Sequence, residues 1–310
     1  MKINLSNIKK AKKLLDKGEC IAIPTETVYG LAGNAYSNFS CKKIFKLKKR
    51  PSNNPLIVHY YNLKNLRNDC SYNSSFYKLY KKLCPGPITF ILDLKKNSKI
   101  SKIVTNKKKT LAVRFPRHPV ARELLKKIGF PLAAPSANLS SKVSSVNSED
   151  VKEDFGNKIK YILEGGNSKI GVESTIVDLR KKSKVLRLGG TEISTIKKIL
   201  GKKILLENKS SKIMVPGQNN LHYSPDMPIR LNAKKVKDYE AYLLIKKIKL
   251  NKPNYYYLSK KGSLKEAAKN LYSLLRKIKK SKYKSIAVAK IPDKGLGKTI
   301  NDRLLRASKF

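Results

Sequence analysis

Five loops carry most of the side chains able to do chemistry: PTETVYG (24–30), KLKKRPSNNP (46–55), VRFPRHP (113–119), APSANLSSKVSS (134–145) and GVEST (171–175). They hold hydroxyls, amides and cations, and no evident nucleophile–base triad. Arginine grips a carboxylate or phosphate through two parallel N–H groups, and lysine supplies a point charge. Hydroxyls and backbone N–H groups satisfy the remaining oxygens. Such an inventory suits holding a nucleoside triphosphate. Phosphoryl and nucleotidyl transfer ask a protein mainly for positioning and charge stabilisation. Lys48 and Arg50 are therefore expected to face phosphates, with Leu56–Val58 anchoring their loop in the core. A sixth stretch, GLGKT (295–299), imitates the end of a phosphate-binding P-loop. That motif needs glycine at position 292, which is Pro292 here, so it reads as a turn before the last helix.

These loops need strands and helices to aim them. Apolar spacing predicts helices over Ser6–Lys17, Asn38–Lys48, Phe76–Leu83, Pro119–Ile128 and Ile193–Leu200. Short apolar runs predict strands at Cys20–Ile23, Leu56–Val58, Ile88–Leu92, Leu111–Val113, Leu132–Ala134, Tyr161–Leu163, Thr175–Val177 and Val185–Leu188. Interspersed strands and helices give an α/β class with a mixed sheet, whose ligands collect where loops converge at strand ends. From Glu207 to Pro228 the pattern breaks into polar residues, Gly217 and prolines, which reads as a linker. Beyond it, strands at Tyr255–Leu258 and Ser285–Val288 and helices at Ser263–Lys279 and Thr299–Arg306 form a small second α/β unit. Residues 231–250 show a poor strand pattern. The expected organisation is 1–205, a linker 206–228, and 229–310.

The 310 residues carry 69 Lys and Arg against 21 Asp and Glu, a net charge of +48. Such a charge attracts nucleic acid or steers anionic ligands inward. The lysines are spread over the whole chain, and lysine, asparagine, isoleucine and tyrosine are abundant while tryptophan is absent, a pattern that suits AT-rich codons. No apolar run is long enough for a membrane helix, and the N-terminus, a basic amphipathic helix, does not read as a signal peptide. Four scattered cysteines without a CxxC pair, and only three histidines, argue against a zinc site and for a reducing, cytoplasmic location.

The motifs IPTETVYGL, KLKKRPSNNPLIVH, CPGPITFIL, LAVRFPRHP, APSANLS, GVESTIVD and VLRLG, in that order, resemble the YrdC-like domain of threonylcarbamoyl-adenylate synthases, over roughly residues 5–200. HYSP (222–225) resembles the linker motif of that family's two-domain branch, and GLGKTINDRLLRAS its terminal motif, which accounts for the imitation P-loop. The resemblance implies a YrdC-like twisted mixed sheet with helices, plus a small C-terminal Rossmann-like α/β domain. It implies an enzyme, a nucleotidyltransferase that makes threonylcarbamoyl-AMP and pyrophosphate from L-threonine, bicarbonate and ATP. The product feeds a separate tRNA threonylcarbamoyl transferase machinery. The rival reading is a non-catalytic protein binding double-stranded RNA or tRNA, and weak RNA binding is a further expectation of the charge. A zinc-finger carbamoyl transferase of the hydrogenase-maturation type is disfavoured, because the chain lacks the cysteines.

Carried over by position, the resemblance implies that Thr27, His59, Arg114, Ala134 and Ser174 hold threonine, with Arg114 on its carboxylate. Thr25 could replace Thr27, since either hydroxyl suits the contact. Arg50, Asn54, Thr110, Ser136, Ser144, Arg187 and Tyr223 are implied for ATP, with Asn138 assisting. Lys48 and Arg50 are the implied catalytic pair. Mg²⁺ is expected on the phosphates, no acidic cluster marks protein ligands for it, and no organic cofactor is implied. The Tyr223 segment is expected to close over the adenylate and exclude water. One departure is Ser140-Ser141 where the family usually has Ser-Gly, a cost if the backbone there takes a positive φ.

Overall fold

The computed structural model describes residues 3–201, 204–207, 222–250 and 252–309. Most of the expected linker, 208–221, lies outside the described residues. In the first part of the chain, α1 (Leu5–Asp16) leads to β1 (Ile21–Ile23), β2 (Gly30–Asn34), α2 (Asn38–Lys48) and β3 (Ile57–His59). Then come α3 (Leu63–Leu66), β4 (Cys70–Ser71), α4 (Ser74–Leu83), β5 (Ile88–Leu94), α5 (Lys102–Thr105) and β6 (Thr110–Arg114). The series closes with α6 (Pro119–Lys127), β7 (Leu132–Ala133), α7 (Ser148–Phe155), β8 (Thr175–Asp178), β9 (Lys184–Arg187), α8 (Ile193–Leu200) and β10 (Leu205–Leu206).

Among the described residues these strands form one mixed sheet in the order β1-β2-β7-β3-β6-β5-β8-β9-β10, with β4 added against β5. Strand alternation sorts its two faces. Val58, Phe90, Leu92, Leu111, Val113 and Val177 join the main core. Ile57, Ile91, Ala112, Ile176 and Leu186 form a separate small cluster on the opposite face. On that second face, pairing lines up His59, Arg114, Thr89, Ile176 and Arg187 across five strands. A bulge in β9 makes this row possible. The register shifts between Ile176 and Val177, which pair with Arg187 and Val185, and Leu186 is the extra residue. The extra residue keeps Arg187 on the polar row.

The second unit has β11 (Ile229–Arg230), β12 (Glu240–Lys246), β13 (Tyr255–Ser259), α9 (Leu264–Lys279), β14 (Ser285–Val288) and α10 (Leu296–Ala307). Its sheet is wholly parallel, in the order β11-β14-β12-β13. Helix α9 is anchored by Ser263, whose side chain caps the Glu266 N–H, and buries Ala267, Ala268, Leu271, Tyr272, Leu275 and Ile278 at helical spacing. Those residues share one apolar cluster with Val28, Val143, Val146 and Val172 of the first part, so the two sheets are joined through a common core.

Several strands depart from the sequence reading. Residues 231–250 contain β12, an inner strand of the small sheet, because EAYLLIK is buried along most of its length rather than alternating. Strand β2, GLAGN, has two glycines and little β propensity. Gly33 is needed for closeness, since a Cβ there would stand 3.3 Å from Cys20, Ser40 and Ile44. Tyr161–Leu163, expected as a strand, contributes only an isolated bridge between Ile162 and Ala22. Ser141 does take a positive φ, +67°.

Candidate active site

The polar row on the sheet's second face forms the floor of a pocket. Arg50, His59, Arg114 and Ala134 border it, and so do Ser136, Ser174, Arg187 and Tyr223. Thr25, Glu26's neighbour in PTETVYG, borders the pocket as well, whereas Thr27 stands one hydrogen bond behind it, its hydroxyl 2.9 Å from that of Thr25. Thr110 lies on the same strand face as Arg114 but four residues along β6, about 13 Å away, and pairs with Asp93 outside the pocket.

At one end stands Arg114. Its Nη2 donates to Glu26 Oε1 at 2.8 Å and to Thr25 Oγ1 at 3.4 Å, while its Nε is buried without a partner. Burial raises the Glu26 carboxyl, but the charge and hydrogen bonds of Arg114 and the Arg117 N–H outweigh it, so the group lies below its ordinary value. Beside it, both ring nitrogens of His59 are buried and unpartnered. Burial, reinforced by Arg114, holds His59 well below its usual pKa, so its ring is neutral. Buried polar atoms seldom lack partners, so this concentration of them marks a place for a polar ligand.

At the other end stand Arg50 and Arg187. Arg50 is folded back on its own turn, with Nε donating to Asn54 O at 3.0 Å and Nη2 donating to Pro55 O and Asn54 Oδ1. Burial and the nearby charge of Arg187 lower Arg50 to about 9. Two cations pressed together in this way favour an anion between them. Arg187 is fastened just ahead of β8 by donating to Ser174 O through Nε (3.1 Å) and Nη2 (2.8 Å), and Nη2 also reaches Ser174 Oγ.

The remaining predicted residues sit behind the wall. Lys48 is fully buried, and its Nζ donates to Ser136 O at 2.6 Å and to the Asn138 carbonyl. It therefore braces the loop that presents Ser136 rather than facing the pocket. Burial, then Arg50, lowers its pKa well below the ordinary lysine value. Asn54 serves Arg50, and Asn138 donates to Leu139 O and Lys142 O. Ser144 donates to Glu173 Oε1 at 2.7 Å. Tyr223 is completely buried, with φ +65° and its hydroxyl unpartnered. Glu26, Glu173 and His222 belong to this site and escaped the sequence reading. Each lies within or beside a quoted motif, but an acid in a polar loop looks solvated until its distant arginine is seen.

Residues 13–189 match a family model described as telomere recombination, and residues 191–309 match one described as threonylcarbamoyl-AMP synthase, C-terminal domain. A threonylcarbamoyl-AMP synthase of Pyrococcus abyssi is 32% identical over 98% of this chain and 94% of its own length. One of Bacillus subtilis is 34% identical over the same shares. A crystal structure of P. abyssi Sua5 complexed with L-threonine superposes with a TM-score of 0.90 at 31% identity, covering 99% of this chain and 96% of that one. The non-catalytic reading gives way at this point. Matched along nearly all of its length by proteins of one activity, the chain belongs to the threonylcarbamoyl-AMP synthase family and is a nucleotidyltransferase.

Proposed function

We propose that this enzyme joins L-threonine, bicarbonate and ATP into threonylcarbamoyl-AMP with release of pyrophosphate, in the cytoplasm, as the supply step for threonylcarbamoyladenosine formation in tRNA by a separate transferase. The observation that carries the reading is the pocket's polarity. One end pairs an orphaned guanidinium edge with a neutral imidazole, and the other gathers two arginines. The first suits an amino acid, the second a polyphosphate.

Threonine's carboxylate would lie on the open Nε edge of Arg114, with its hydroxyl or amine near His59, Thr25 and Ser174. The amine attacks bicarbonate carbon, and loss of water leaves a carbamate. A carbamate oxygen then attacks the α-phosphorus of ATP, the bond to the β-phosphate oxygen breaks, and pyrophosphate leaves. Arg50 and Arg187 would hold phosphate oxygens, whose added negative charge in the transition state they are placed to balance. Lys48 fixes Ser136 for the same task. Tyr223 closes one wall against water, which would hydrolyse the mixed anhydride.

Mg²⁺ is expected to accompany ATP and to screen its phosphates. The pocket residues do not build a protein-held metal site. Among the described residues no group of three His, Cys, Asp or Glu could hold an ion, and Glu26 and Glu173 are both committed to arginines. The deciding experiment is pyrophosphate release with each substrate omitted in turn. Release should require all three, and equal release without threonine would overturn the reading.

A further inference from the structure

Glu173, in the GVEST loop, is 5% exposed and borders the pocket beside Ser174. Three groups donate hydrogen bonds to its carboxylate, and two of them come from the second unit. Arg303 of α10 donates through Nε to Oε2 at 2.8 Å, and the Tyr272 hydroxyl of α9 stands 3.1 Å from Oε1 and 3.0 Å from Oε2. The third donor is Ser144. Arg303 is 1% exposed, also donates through Nη2 to Leu188 O at 2.6 Å, and lies 4.8 Å over the Tyr223 ring. Tyr223 in turn stacks on Tyr272, with ring centroids 5.8 Å apart and 19° between the planes.

The backbone of the same loop is equally engaged. Gly171 has φ +75°, and a Cβ there would come within 2.3 Å of the Lys269 carbonyl of α9. Glu173 O accepts from Gly190 N at 2.8 Å. The terminal motif that imitates a P-loop is therefore built around Arg303, and Arg303 is aimed at a carboxylate in the pocket wall. Burying a carboxylate and a guanidinium is costly unless both are fully hydrogen-bonded, and this pair meets that condition. An interface required only for adhesion would be served as well by apolar packing.

Building on the function proposed above, we infer that Tyr272 and Arg303 are positioning residues of the active site. By holding Glu173, they set the Ser144 hydroxyl and the Ser174 backbone on which Arg187 is mounted, and so shape the nucleotide end of the pocket. The second unit is thus a working part of the ATP site.

The test uses the full chain and three variants. Tyr272→Phe removes one hydroxyl and keeps the ring. Arg303→Lys keeps the charge and loses the fork. Thr299→Val removes the Thr299 Oγ1 to Gly189 O hydrogen bond, 3.1 Å, at the same interface, and leaves the donors to the Glu173 carboxylate in place. Pyrophosphate release is measured against ATP and against threonine. Tyr272→Phe should raise the KM for ATP about tenfold while the KM for threonine stays within twofold, Arg303→Lys should do so more strongly, and Thr299→Val should change neither. If Tyr272→Phe leaves both KM values as Thr299→Val does, Glu173 is only interface glue and the inference is wrong. Should Arg303→Lys fail to fold, Tyr272→Phe carries the comparison. If the unaltered chain shows no threonine-dependent release, the function reading has failed. Calorimetric titration of ATP into the unaltered chain and Tyr272→Phe then decides this inference, with a tenfold weaker affinity upholding it and equal affinity overturning it.

Discussion

Arg114, on the pocket wall, meets Glu26 across 2.8 Å, with both side chains less than a tenth exposed. Glu26 also accepts from the Arg117 N–H at 2.9 Å, so the carboxylate is fixed and holds the guanidinium with its Nε edge turned elsewhere. An arginine pre-paired in this way is oriented without being saturated. Arg114→Ala should raise the threonine requirement ten- to a hundredfold, the loss of roughly 1.5–3 kcal/mol for a hydrogen bond to a charged group, and should move the ATP requirement little. Arg50→Ala should do the reverse. Calorimetric titration of both variants with both ligands checks this. Identical losses for the two ligands would contradict the assignment of ends.

Ser141 offers a test of local strain. It holds φ +67° where glycine would rest more easily, and its carbonyl accepts from Ser224 N at 2.8 Å. The backbone must keep this shape to meet the segment that carries Tyr223. Ser141→Gly should therefore stabilise the fold by up to about 1 kcal/mol, offset in part by the greater freedom of glycine in the unfolded chain. Urea midpoints measure the change, and a clear loss of stability would show that the serine side chain contributes more than its backbone strain costs.

Acid should unfold this protein early, and the histidines are the reason. The chain has three. Burial depresses His59 and His118 below the ordinary value, and His222 to about 3. Below pH 6.5 the unfolded chain protonates at these positions and the folded chain does not, so stability falls as pH falls from about 6.5 toward the folded values. Each histidine contributes at most about 1.4 kcal/mol per pH unit. Urea midpoints should fall from pH 7.5 to 5.5, and His222→Gln should make that fall shallower. A midpoint that stays level over this range would count against neutral, buried rings.

The sequence exposed the site's parts better than its wiring. Helix α2 was legible from its apolar stripe, and the loops around it announced their chemistry through residue type. Strand β12 was not legible, because burial on both faces removes the alternation that identifies a half-buried strand. The choice between Thr25 and Thr27 turned on which hydroxyl faces inward, a matter of one backbone turn. Glu26 and Glu173 were passed over because their partners lie 88 and 130 residues away. Lys48 was read as facing phosphate because charge is visible in sequence, whereas the two carbonyls that occupy it are not.

Tyr223 should show stability and function moving in opposite directions. Its ring is packed between His222, at 4.0 Å, Tyr272 and the Arg303 guanidinium, yet its hydroxyl is buried with no protein partner. A buried hydroxyl left unsatisfied costs about 1–3 kcal/mol in the ligand-free protein. The backbone at this residue, φ +65°, adds strain that a bulky side chain seldom bears outside a functional position. Both costs make sense if the hydroxyl is satisfied only when nucleotide or adenylate fills the pocket. Tyr223→Phe keeps the ring and its packing and removes the orphan, so its urea midpoint should equal or exceed that of the unaltered chain. The same variant should bind ATP roughly tenfold more weakly and release the adenylate faster, while threonine binding stays the same. Tyr223→Ala, which also empties the ring's place in the common core, should in addition lose about 3–5 kcal/mol of stability, as large aromatic-to-alanine changes do. A phenylalanine variant that is less stable and binds ATP normally would mean the hydroxyl serves the fold and not the ligand.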